Sequence, residues 1–181
     1  MKHLISFFVL FFSLQSFANL TELSSIEDLI ALTTPNTWKV GDQTTYVVSA
    51  GMLGKGTMTK VVASETAEGF WVKEEMHVSS HNEVIEKLYS KKDGSLLKII
   101  RNGQEGNPED SKVEVTRSEK TKITVPAGTF DVLHIEGKNK KTSKLEIWIS
   151  ENVAIDGYAK LYMKSSFYSI TSELQSIKTA P

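Results

Sequence analysis

Thr124-Val125-Pro126-Ala127-Gly128-Thr129-Phe130-Asp131-Val132-Leu133-His134-Ile135-Glu136 is the stretch around which this chain is organised. Pro126 fixes its own φ near about −65° and has no N–H to give to a ladder. It suits a turn and not the middle of a central strand. Gly128, two residues on, supplies a positive φ without a steric cost. Before the turn, Lys122 to Val125 are mostly β-formers, and after it Thr129 to Ile135 are mostly β-branched, aromatic or aliphatic. The reading is strand, Pro-Ala-Gly corner, strand.

Working outward, the same pattern recurs. Gln43 to Ala50, Thr57 to Ser64, Phe70 to Ser79 and Asn82 to Ser90 read as strands, although Glu83 to Leu88 also fits a helix. Asp93-Gly94, Asn102-Gly103 and Asp156-Gly157 are turn dipeptides. Leu96 to Arg101 lies between the first two of them. Gln104 to Ser111 is polar, with Gly106 and Pro108, and reads as a loop. Val113 to Arg117 and Lys120 to Val125 are two strands or one bent strand. Gly137 to Ser143 is a basic hairpin tip. In Leu145 to Ser150, Leu145, Ile147 and Ile149 fall on one face and Glu146 and Trp148 on the other. Ala159 to Met163 and Phe167 to Leu174 close the series. About ten short strands with close turns predict a mainly β antiparallel curved sheet, a half-barrel or open barrel.

Val125-Pro126-Ala127-Gly128-Thr129-Phe130-Asp131 resembles a signature of envelope proteins with a LolA/LolB-like fold and of related domains of unknown function. A second piece matches downstream: Glu146-Ile147-Trp148-Ile149-Ser150-Glu151-Asn152-Val153, then Gly157 and Lys160. Family sequences often carry Pro just after that Val, where this chain has Ala154. The resemblance implies a curved antiparallel half-barrel that holds an apolar ligand, with one short N-terminal helix packed across its concave face.

That helix is read over Asn19 to Thr34, where Leu23, Ile26, Leu29, Ile30 and Leu32 fall near helical spacing. Ser24 or Ser25 caps it, and Thr34-Pro35-Asn36 ends it. Residues 1–18 are read as a secretory signal peptide. Lys2 and His3 open it, Leu4 to Leu14 is apolar, and Ser16-Phe17-Ala18 places cleavage before Asn19. An apolar run of about a dozen residues is short of the ~20 that span a bilayer. No second apolar run is long enough to span. Residues 19–181 are therefore one domain with a periplasmic or secreted address.

Composition narrows the function classes. The chain of 181 residues carries 21 basic and 22 acidic side chains, a net charge of −1. Such a mixed surface gives no electrostatic case for nucleic acid. There are no cysteines, which excludes disulfides, thiol catalysis, thiolate metal sites and lipid attachment to a cysteine.

The search for chemistry returns little. Gly54-Lys55-Gly56-Thr57 lacks the Gly-Lys-Ser/Thr order of a phosphate loop and reads as a hairpin connection. His77 and His81 would share a helix face, but on a strand they stand about 13 Å apart. His134 has no neighbouring ligand type, so no metal or cofactor is expected. No Gly-x-Ser-x-Gly elbow is present. Glu74, Glu75, Glu146 and Glu151 are available as carboxylates, and alternating charges on strands read as a solvated face. No residue set compels a reaction.

What remains is aromatic and Met side chains. Phe70, Trp71, Met76, Trp148, Tyr158, Tyr162 and Met163 are candidates to line a concave face that takes a lipid or acyl chain. Core filling is the plainer reading of the same residues. The sequence thus supports a non-enzymatic carrier or sensor of an apolar ligand. The alternative is a structural or partner-binding envelope module with a filled core. An envelope-polymer hydrolase stands behind both.

Overall fold

A computed structural model describes residues 38–79, 81–107, 113–138, 142–166 and 168–181. The expected signal peptide and the expected helix over Asn19 to Thr34 lie outside the described residues. Among those described, eleven strands form one antiparallel sheet. They are β1 (Gln43–Ser49), β2 (Lys55–Glu65), β3 (Gly69–Val78), β4 (His81–Ser90), β5 (Leu96–Arg101), β6 (Gln104–Gly106), β7 (Glu114–Val125), β8 (Gly128–Lys138), β9 (Lys144–Ile149), β10 (Tyr158–Lys164) and β11 (Ser169–Lys178). The only helical turn among the described residues is the 3-10 turn Gly51–Leu53. The segment with a helical alternative is strand β4. The two pieces before the corner are one strand, β7, irregular between Val115 and Arg117.

The strand order is β6-β5-β4-β3-β2-β1-β11-β10-β9-β8-β7. Two meanders are therefore joined where β1 pairs β11. Consecutive strands β6 and β7 stand at opposite edges. Laid flat at about 4.8 Å per strand, eleven strands would span about 48 Å. The eight steps from Gly106 to Glu114 reach at most about 29 Å. A flat sheet is therefore impossible, and chain connectivity itself demands the curl. β7 accordingly comes back against β10 and β11. The sheet stays open, because β6 and β7 do not pair.

The Pro-Ala-Gly corner joins β7 to β8. Val125 pairs Gly128 across the turn, and Gly128 adopts φ 138°. The Ala127 N–H donates to the Leu174 carbonyl at 3.0 Å, which ties the corner to β11. Val125 is buried beneath it. Alternation does the rest: Thr44, Tyr46 and Val48 of β1 are buried and their neighbours are half-exposed. Leu145, Ile147 and Ile149 share the inner face with Leu133 and Ile135, as their direct pairing requires.

Close backbone approach sets one requirement. A Cβ on Gly69 would meet the carbonyl of Tyr89 on β4. Gly69→Ala is expected to cost about 1–3 kcal/mol, because β3 and β4 must separate to admit it. A urea midpoint indistinguishable from wild type would show that the strands give way freely.

Candidate functional site

The register divides the expected lining residues between two faces. Phe70, Met76, Tyr158 and Met163 point inward. Phe70 and Tyr158 are buried, while Met76 and Met163 are half-buried against the core. Trp71, Trp148 and Tyr162 point outward. Trp148 stands opposite His134 and Lys160, and Tyr162 opposite Glu146. The Trp148 ring stacks on His134 at 4.4 Å between centroids and 4° between planes. No single surface gathers the set.

The inner face is occupied by the chain itself. Between β9 and β10 the loop 150–157 crosses it, closed by the Ser150 N–H donating to the Gly157 carbonyl at 2.7 Å. Ile155 and Asp156 adopt φ 55° and 60°. Asp and Gly tolerate that left-handed conformation, and Ile does not. The turn drives Ile155 into a cluster with Trp38, Val62, Phe70, Val72 and Tyr89.

Asp156 enters beside it and meets charges from three strands, of which Lys60 and Glu74 are buried and Lys87 half-buried. Lys60 of β2 forms an ion pair with Asp156 and a second one with Glu74 of β3 at 3.3 Å. Lys87 of β4 reaches Glu74 at 2.7 Å. Glu74 is thus buried, which corrects the expectation that it lies on a solvated face. The expectation fails because the side chain follows the inward parity of Val72 and Met76 and finds two ammonium groups there. Glu75, one residue on, points outward to Lys73 at 2.6 Å.

Tyrosines close the cluster. The Lys60 ammonium lies 4.4 Å from the Tyr158 ring centroid, and the Tyr46 hydroxyl donates to the Tyr158 carbonyl at 3.1 Å. Burial alone would depress the Lys60 ammonium, but Asp156 and Glu74 outweigh it and hold it well above the ordinary lysine value. Burial would raise the Asp156 carboxyl, yet Lys60 and Lys87 pull it below the usual carboxylate range. Burial pushes the phenols of Tyr46, Tyr89 and Tyr158 up. Two cations face two carboxylates, so the group neutralises itself. Its job is to pin the loop on the sheet.

The pinned loop forms one wall of a cleft of about 460 Å³ at the β7 edge. Val132, Leu133 and Ile149 make an apolar floor, with Lys120, Lys122 and Glu151 at the rim. Lys122 pairs with Asp131 at 2.6 Å in the open. None of the expected lining residues borders this cleft. Its floor was legible only as core-type strand residues, and its rim as surface charge. The His77 ring hydrogen-bonds the Asn82 side chain at 2.9 Å near the β3–β4 hairpin tip.

No protein-family model and no curated protein matches the chain. Solved structures do resemble it. A hypothetical protein, CT021, from Chlamydia trachomatis superposes with a TM-score of 0.51 at 14% identity, over 86% of this chain and 93% of that one. The MucA/MucB complex of Pseudomonas aeruginosa contains a chain matched with a TM-score of 0.50 at 12% identity, over 86% of this chain and 57% of that one. A structure of MucB gives 0.47 at 11% identity, over 87% of this chain and 59% of that one. This chain therefore spans less than two-thirds of the matched chain in each of these last two structures. At such identities the likeness is one of fold.

Proposed function

We propose that this protein is an exported, periplasmic, non-enzymatic module that holds an extended segment of another envelope protein along the β7 edge. One observation carries the reading. Over β2, β3 and β4 the concave face is filled by the chain's own loop, while β7, the strand from Glu114–Val125, has no strand partner on its outer side among the described residues. An edge strand is a template for strand addition. The cleft beside it gives a side chain of the incoming strand an apolar seat. Arg117, Glu119, Lys120 and Lys122 along β7 favour a charge-matched segment over indiscriminate pairing. The likeness to a chain described in complex with MucA is consistent with a partner-binding role.

Photo-crosslinking in cells tests this. A crosslinker at position 121, which lines the cleft, is expected to trap one protein species, and one at Thr171 on the outer face is not. A paired Lys120→Glu and Lys122→Glu change is expected to reduce that adduct at least tenfold. Equal trapping from both positions would overturn the reading.

A second reading rests on the cleft alone. Its volume falls within the range of about 300–1,000 Å³ usual for small-ligand sites, and its floor is apolar. An acyl chain would lie over Leu133 and Ile149. Saturable, competable binding of a fluorescent fatty acid, lost in Leu133→Asp while the fold persists, would bring this reading forward.

A further inference from the structure

At one end of the sheet the β1–β2 and β10–β11 turns stand side by side. A Cβ on Gly51 would lie 3.6 Å from the Ser169 carbonyl. From these turns Met52 projects with 101% of its surface exposed, Leu53 with 51% and Tyr168 with 47%. Basic residues flank them. Lys55 opens β2 and Lys164 ends β10; both are exposed, and neither has an ion-pair partner among the described residues. Lys144 stands directly opposite Lys164 across β9 and β10. The acidic groups here are already engaged: Glu146 with Lys144 at 2.5 Å, and Glu114 with Lys138 at 3.4 Å.

We propose that this end of the sheet docks on an anionic lipid bilayer, with Met52, Leu53 and Tyr168 entering the headgroup boundary and Lys55, Lys144 and Lys164 lying on the charged surface. The shape selects the partner. Protein hot spots sit in packed, desolvated pockets. Here apolar side chains stand singly on convex tips, a form that a fluid interface surrounds and a rigid partner does not. Apolar insertion and electrostatic attraction together set the strength of such binding. Tyrosine is suited to the interface, with an apolar ring and a polar tip. This end lies apart from the cleft, which borders the β7–β8 corner end, so the two proposals fail separately.

The test is vesicle sedimentation of the protein purified in its exported form, with its N-terminus checked by mass spectrometry. Vesicles of phosphatidylethanolamine with phosphatidylglycerol are compared with neutral phosphatidylcholine vesicles. Binding to the anionic vesicles that weakens with added salt is expected. Met52→Asp with Leu53→Asp should lower partition at least tenfold. Lys55→Gln with Lys164→Gln should lower it about 25-fold, at about fivefold per basic residue near an anionic surface. Leu97→Asp, an exposed apolar residue elsewhere, should leave it unchanged. Near-UV dichroism and the β7 crosslink should persist in every variant. Equal binding to both vesicle types, no binding to either, or tip variants that sediment like wild type would each overturn the proposal. So would loss of a protein adduct in the tip variants in place of a loss of lipid binding.

Discussion

Replacing Lys60 with methionine is expected to destabilise the protein by about 3–5 kcal/mol, read as a lower urea midpoint at an unchanged slope. Methionine keeps the length of the stem and removes the charge. Asp156 then loses its ion-pair partner at full burial and keeps only the more distant charge of Lys87, which Glu74 must share. The Lys60 and Asp156 side chains are 3% and 2% exposed, so water cannot supply the missing charge. The loss is the penalty of an abandoned carboxylate more than the worth of the pair. A double variant, Lys60→Met with Asp156→Asn, separates the two. Asparagine tolerates the left-handed backbone at 156 and needs no counter-ion. Glu74 and Lys87 remain as a matched pair. Most of the loss should return, as a coupling of at least about 2 kcal/mol between the two sites. A single variant within about 1 kcal/mol of wild type would show that the network does not hold the loop.

The same charges set the pH range of stability. Asp156 has a depressed carboxyl pKa in the folded chain, so its contribution is present above the unfolded value of about 3.9 and is lost as pH falls through the folded value. Lys60 has a raised one, so its contribution is present below the unfolded value of about 10.4 and is lost as pH rises through the folded value. Stability should therefore hold from about pH 5 to about pH 10 as far as this pair is concerned. In Asp156→Asn the acid limb should flatten. An acid limb identical to wild type would remove Asp156 from the account.

Much of the fold is written in local chemistry. Pro126 and Gly128 mark the corner, Asp156-Gly157 marks a turn, and alternation in Leu145–Ile149 marks the inner face. The sheet's curl is legible once β6 and β7 are placed at opposite edges, but that placement is not local. The β1–β11 pairing that creates it joins residues more than a hundred positions apart. The site was harder for a physical reason. Assigning charges on strands to solvent ignores parity. Lys60 lies between Met58 and Val62 at inward spacing, and Glu74 between Val72 and Met76. An inward charge on one strand asks for its opposite on the next, and Lys60 does pair Glu74 directly. Parity within each strand would have flagged both. Asp156 could not be flagged so, because it reaches the cluster from a turn. Grouping Trp148 and Tyr162 with Phe70 and Tyr158 failed for the same neglect of parity: one step along a strand changes face.

Ile155→Gly is expected to destabilise the protein by about 2–4 kcal/mol while opening the inner face. Two effects oppose each other here. A β-branched residue at φ 55° carries backbone strain of about 1–2 kcal/mol, which glycine releases. The side chain is fully buried among Trp38, Phe70, Val72 and Tyr89. Truncating a buried Ile to Ala costs about 2–5 kcal/mol, and glycine removes one carbon more and adds chain entropy in the unfolded state. Burial therefore wins over strain, which is why an Ile persists at a position that favours glycine. The variant should leave a cavity walled by Trp38, Phe70 and Tyr89. A fluorescent apolar probe should enter it and should compete poorly with anything held in the cleft by β7. If Ile155→Gly matched wild type in urea and bound no added probe, the loop would not be sealing the concave face. The filled-core premise of the partner-binding reading would then fall, and the acyl-chain reading would take its place.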